Sequence, residues 1–389
     1  MLTRPRLPQA AGNGKTPNPV HFTGGDECYT FIIRMRVFKG FIAAVAVLAV
    51  IAGVGYGVLT VKRSADASSL ANIVIEPAPP QPPAPEEPKK IDPRLEGLVA
   101  RDDGARLLWA PEAGERPLAA GFADNGTLIV SATSTAGKES RWKILKIDVA
   151  TAKAAAVFDA SRPRAASSHR AAHRNAGALC YASPDDRGVS EIWCSNLEGK
   201  DEKRLTTHDG REDLVAPAIS PDGVWAAFEV NDDRLKKPTG ASVWKIGLNG
   251  ANIQQLTRGG DDRRPTWSDD GRKIYFQRRA PNGTWDAYVM DADGKNPAPL
   301  LRTHDENETF PVRRGATEEF ILAEGRPDAP SRVKVLDAVT KAGRYLTSGA
   351  HGAETSPSIS PDGVLVSFLA PLSPSEPDRI GVWLIQLDP

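Results

Sequence analysis

Cysteine is scarce in this chain, three in 389 residues, and that excludes a scaffold stapled by many disulfides. Catalytic signatures are missing as well. The sequence holds no G-x-S-x-G elbow, no H-E-x-x-H pair, no C-x-x-C and no phosphate-loop lysine, so the common marks of serine hydrolases, zinc peptidases, dithiol enzymes and nucleotide enzymes are absent. Net charge is also lacking, because 49 Lys and Arg balance 49 Asp and Glu. The balance hides an asymmetry: residues 1–63 carry eight basic and two acidic side chains, net +6, which leaves the remainder at −6. An acidic main body argues against nucleic acid as a partner, since phosphate binding needs clustered positive charge.

Long apolar runs are equally rare, with a single one from Gly40 to Val61, 22 residues without a charge. At 1.5 Å per residue it reaches about 33 Å, enough for a hydrocarbon core of about 30 Å. A transmembrane signal-anchor helix is expected over 40–61. Six basic residues precede it and two follow, which predicts a cytoplasmic amino end and a main domain outside, on the periplasmic side of an inner membrane. The competing reading is a cleaved signal peptide ending at Ala65-Asp66-Ala67. Ahead of the run, residues 1–39 form a polar leader with no sustained period, expected to be disordered, and Met35 offers an alternative start just before it. Behind it, 62–94 is a linker; its Glu76 to Pro93 portion, EPAPPQPPAPEEPKKIDP, is too proline-rich for helix or ladder and acts as an extended spacer.

What the sequence has in plenty is repetition. Pro217 to Gly223 reads PAISPDG, Pro265 to Gly271 reads PTWSDDG and Pro357 to Gly363 reads PSISPDG, their prolines 48 and 92 residues apart. The double gap predicts a degenerate copy, found at Pro311-Val312-Arg313-Arg314-Gly315. Earlier copies turn at Gly177 and at Asp124-Asn125-Gly126, so six units fit between about 118 and 389. Each unit reads as a short strand, a tight turn, two apolar strands around a variable loop, a second turn such as Asn249-Gly250, and a closing strand. A period in the forties with several strands per unit is the mark of a β-propeller.

The fold class expected over 95–389 is therefore all-β, a six-bladed β-propeller. Its last unit ends at Leu387-Asp388-Pro389 without a fourth strand, and Arg106-Leu107-Leu108-Trp109 resembles the closing strands Arg204-Leu205-Thr206 and Arg344-Tyr345-Leu346-Thr347. Closure of the last blade by this N-terminal strand is expected, because it removes an open sheet edge. The Pro-x-aromatic-Ser-Pro-Asp-Gly repeat resembles that of TolB-type propellers. The resemblance covers about 118 to 389 and implies a WD-like binding module. TolB proteins also carry an α/β domain ahead of the propeller, and here only Asp92 to Arg116 separates the proline-rich stretch from the first unit.

Two sets of residues invite chemistry. Cys180 and Cys194 fall in successive strands of one hairpin centred near Arg187, opposite each other; a disulfide and a pair of small buried thiols both satisfy that placement. The second set lies where one unit hands over to the next: His208 and Asp213, Asp262, His304 and Glu308, His351 and Glu354. These connections converge on one mouth of a propeller channel, where a ring of acids would hold Ca²⁺ or meet the Lys and Arg of an inserted peptide tail. The bland reading is that they bond loop backbone and lock adjacent blades. Asp222, Asp270 and Asp362 are read as turn residues. The expected function is a membrane-anchored, protein-binding envelope module without a cofactor; the alternative is a Ca²⁺-dependent, lactonase-like propeller.

Overall fold

The computed structural model describes residues 20–24, 27–31, 91–136, 139–165, 172–173, 177–233 and 240–388. The chain divides into two units, 1–87 and 88–389. In the first, Val20–Gly24 and Glu27–Phe31 form an antiparallel hairpin inside the leader. The run 40–61 and the linker up to residue 90 lie outside the described residues. Among those described, no helix is long and apolar enough to cross a membrane.

The second unit is built from six antiparallel sheets, each a blade. Blade 3 is representative: Asp213–Ile219 is innermost, followed by Trp225–Asn231, Ala241–Gly247 and an outer Gln254–Gln255. Both faces of a blade are covered by neighbours, so the second strands are apolar almost throughout rather than alternating. Ile274, Tyr275 and Phe276 are buried, as are Phe320 to Ala323. The core is not a central ball but six slabs, one between each pair of blades. Leu214 and Phe228 meet Cys180 and Ile192 between blades 2 and 3, while Trp267 and Phe276 meet Ala227 and Val243 between blades 3 and 4. Tyr275 stands edge-on to Phe320 across the next slab, ring centroids 5.0 Å apart.

The repeated motif resolves into two devices. Its serine and aspartate build the turn: Ser220 Oγ accepts from Trp225 N at 2.9 Å and Asp222 accepts from Val224 N at 3.0 Å. The same bonds recur at Ser268 with Asp270 and at Ser360 with Asp362, which makes these aspartates turn residues as expected. Gly223 at φ +70° takes the left-handed position that the turn requires. The proline marks a bulge. Strand pairing skips a step at Val215/Ala218, Arg263/Thr266, Thr309/Val312 and Thr355/Ser358. The residue before each proline, Ala216, Arg264, Phe310 or Ser356, sits at positive φ.

The last blade is completed as the sequence suggests. Arg106–Trp109 pairs antiparallel with Ile380–Gln386, with Trp383 opposite Leu107, and Val99–Ala100 adds a fifth strand beyond it. Leu95, after a short 3-10 turn at Pro93–Leu95, is buried in the slab between blades 6 and 1. In blade 2 Cys180 stands opposite Cys194 and the two are disulfide-bonded, Cα atoms 4.0 Å apart.

Candidate functional site on the loop face

An innermost strand runs from one face of the ring to the other, so the two faces collect different connections. One face gathers the five-residue turns between the first two strands of blades 3 to 6, of the Ser-x-Asp-Gly type at 220–224, 268–272 and 360–364 and reading RGATE at 314–318. The other gathers the links between blades and the loops between second and third strands. Among the described residues those loops run from five residues at 185–189 and 280–284 to six at 326–331 and eight at 372–379.

The predicted mouth residues lie at this loop face, but they do not form a ring of open carboxylates. Asp262, Glu308 and Glu354 are all fully buried. Asp262 takes a two-pronged ion pair from Arg278, at 2.6 and 2.8 Å. Glu354 accepts from the Thr347 hydroxyl and pairs at 2.8 Å with Arg101, itself stacked over Trp383 at 4.9 Å. Glu308 accepts from Thr303 N at 3.1 Å and from the Thr303 hydroxyl through one oxygen, while its other oxygen has no partner. Burial pushes the Glu308 carboxyl up to about 7; the Thr303 hydroxyl opposes this and nearby Asp286 adds to it. Asp286, also buried, is likewise raised by burial, against the pull of Arg302.

Asp213 belongs to a different set. It accepts from Ser190 N at 2.8 Å, just as Asp261 accepts from Ala241 N at 3.1 Å and Asn307 from Trp285 N at 3.0 Å. Each thereby ties the first residue of a third strand to the innermost strand of the next blade. The histidines diverge too. His208 pairs with Glu212 at 2.9 Å, His304 is exposed beside Asp305, and His351 is half-buried, 3.8 Å from Asp102.

The expected convergence of these acids is therefore corrected. They sit at separate blade boundaries, and among the described residues no group of three His, Cys, Asp or Glu side chains is placed to hold a metal ion. The donor set does not fit Ca²⁺, which needs six to eight oxygens about a common point. Nor do Arg263, Arg264, Arg313 and Arg314 pair with these carboxylates. Arg263 binds Asp261 and Asp233, at 2.6 and 2.5 Å, and Arg313 and Arg314 reach Glu318 and Glu319.

Three functional features escaped the sequence reading. In blades 2, 3 and 5 the threonine after the closing strand caps the third strand: Thr206, Thr257 and Thr347 accept from Ile192, Val243 and Val333 N at 2.9 to 3.0 Å. The recurring Leu-Thr pair was the available signal. Buried Glu191 takes the Thr206 hydroxyl at 2.6 Å and His208 N at 2.7 Å. Finally, a cavity of about 380 Å³ opens on the loop face of blade 4, lined by Pro281, Asn282, Arg302, Thr303 and His304.

Six blades of four strands, the last closed by a strand from the start of the domain and extended by a fifth, define a β-propeller of the repeat type. A family model described as the TolB beta propeller domain matches residues 126–376, and the chain belongs to that family. Among solved structures the fold is similar to a putative TolB from Agrobacterium tumefaciens, with TM-score 0.50 and 15% identity over 71% of this chain and 91% of that one. TolB from Acinetobacter baumannii aligns at TM-score 0.41 and 16% identity, covering 64% of this chain and 67% of that one. An oligogalacturonate lyase from Vibrio parahaemolyticus aligns at TM-score 0.45 and 10% identity, covering 75% and 96%. At these identities the likeness concerns the fold alone. No curated protein matches the chain.

Proposed function

We propose that this chain is a protein-interaction module of the cell envelope, binding a partner through the loop face of its propeller rather than acting as an enzyme. The segment 40–61 anchors it in the inner membrane, and the proline-rich linker holds the propeller on the periplasmic side. One observation carries this reading: the described loops between second and third strands run from five to eight residues and differ in composition, whereas blades 3 to 6 each carry a five-residue turn on the opposite face. A rigid ring that varies on one face and is uniform on the other is built to present a recognition surface. The metal-dependent alternative has no donor set to support it among the described residues.

The test is site-specific photo-crosslinking in cells. Photoreactive residues at the exposed positions Asp328 and Ser375, in loops 326–331 and 372–379, are expected to give a discrete adduct. The same residues at exposed Thr317 and Lys341, on the turn face, are expected to give none. Equal labelling from both faces would overturn the assignment.

A further inference from the structure

The bulges lie on the innermost strands of the ring, and one bulge residue is a cation whose guanidinium makes no ion pair among the described residues. Arg264, immediately before the repeat proline of blade 4, holds its backbone at φ +55°, a conformation that side-chain-bearing residues rarely adopt. Its own N–H is satisfied by the second strand of the preceding blade, through Glu229 at 3.2 Å. The guanidinium lies over the ring of Phe310, the bulge residue of blade 5, at 4.5 Å. The side chain is open to solvent.

Its neighbour makes the contrast plain. Arg263 is saturated by Asp261, Asp233 and Glu229, whereas no carboxylate or carbonyl among the described residues takes a hydrogen bond from the Arg264 guanidinium. Stacking on Phe310 covers a face of the guanidinium and leaves its edge, with up to five donors, open. That edge suits a carboxylate, which matches it with two parallel bonds. Burial pulls the guanidinium below its usual pKa, partly offset by Glu229 and reinforced by Arg263, so a bound anion would relieve an existing cost. Two of the bulge residues are large and apolar: Phe310 itself, and Leu118 at the bulge of blade 1, where pairing skips between Pro117 and Ala119 and the side chain is 38% exposed.

We propose that the axial channel is a binding site for a carboxylate carried on an apolar body, held by the Arg264 edge with Phe310 as its stacking wall. A free organic acid and the C-terminal residue of a polypeptide both present this chemistry. The site lies on the axis and not in the variable loops, so it stands whether or not the loop face binds a partner.

Calorimetric titration of the full chain with N-acetyl-phenylalanine, its amide, the tripeptide Gly-Gly-Phe and inorganic phosphate tests the proposal. The two free acids are expected to bind and the amide to bind about tenfold more weakly or not at all. Tighter binding of the tripeptide would mark a chain end as the source; equal binding would mark a free acid. Arg264→Gln is expected to abolish the difference between acid and amide, Arg264→Lys to retain part of it, and Arg279→Gln, at the loop face, to leave it intact. Should Arg264→Gln fail to fold, Phe310→Leu provides the second reading, with acid binding weakened and the amide unaffected. Equal binding of acid and amide, an unchanged Arg264→Lys profile together with an unchanged Arg264→Gln profile, or preference for phosphate would overturn the assignment.

Discussion

Glu308 is a residue whose chemistry departs from that of a surface carboxylate. It is fully buried, with one oxygen unpartnered and a second buried acid, Asp286, nearby. Its carboxyl is raised from 4.5 to about 7 in the folded chain. The native state therefore favours the protonated form, so this contribution to stability is complete below pH 4.5 and is lost as pH rises through about 7. The shift corresponds to about 3 kcal/mol. Melting followed from pH 5 to pH 8 is expected to decline in the native sequence and to flatten in Glu308→Gln, with the variant the more stable at pH 8. Parallel declines in the two proteins would remove Glu308 as the cause.

Within single elements the sequence was legible where a residue type answers to backbone geometry. The Ser-x-Asp-Gly turns and the hairpin that brings Cys180 opposite Cys194 both follow from such requirements. The site acids were not legible to the same degree. Asp213 stands four residues before its proline and Asp262, Glu308 and Glu354 three before theirs, and adjacent positions on a strand point to opposite faces. Grouping them mixed a blade-to-blade tie with buried ion-pair and hydroxyl partners. Arg101 was invisible for another reason, since its partner Glu354 lies 253 residues away. Whether the two cysteines were joined was likewise undecided by spacing; the bond closes a loop with a sequence separation of 14, a constraint worth about 3 kcal/mol. In a Cys28→Ser background, thiol titration in denaturant is expected to find none before reduction and two after, with reduction lowering the melting temperature. Two reactive thiols before reduction would refute the link.

At the scale of the whole molecule the propeller is held by six slabs of apolar contact and by ties between blades. Several of those ties are cations reaching a neighbour's carbonyl, as Lys245 does to Ala292 and Lys203 to Asn249, each at 2.8 Å. The closing strand joins the two ends of the ring by backbone pairing within one blade. Removal of residues 1–90 is expected to leave a monomer with a cooperative melt. Removal through Trp109 strips Ile380–Gln386 of its partner and exposes an edge, and self-association on size-exclusion chromatography is expected. Monomers of equal stability in both cases would mean that closure is dispensable. The same arrangement governs how the ring bears force. Asp92 N donates to Gln386 at 2.8 Å, Arg94 pairs with Asp362 at 2.9 Å, and Arg101 reaches Glu354. All three partners belong to the final blade. A pull on the chain ahead of residue 91 therefore loads one seam, where the first part of the ring grips the last. Under tension the disc would part there like a fuse, leaving the hairpins of the other five blades unbroken and able to re-latch.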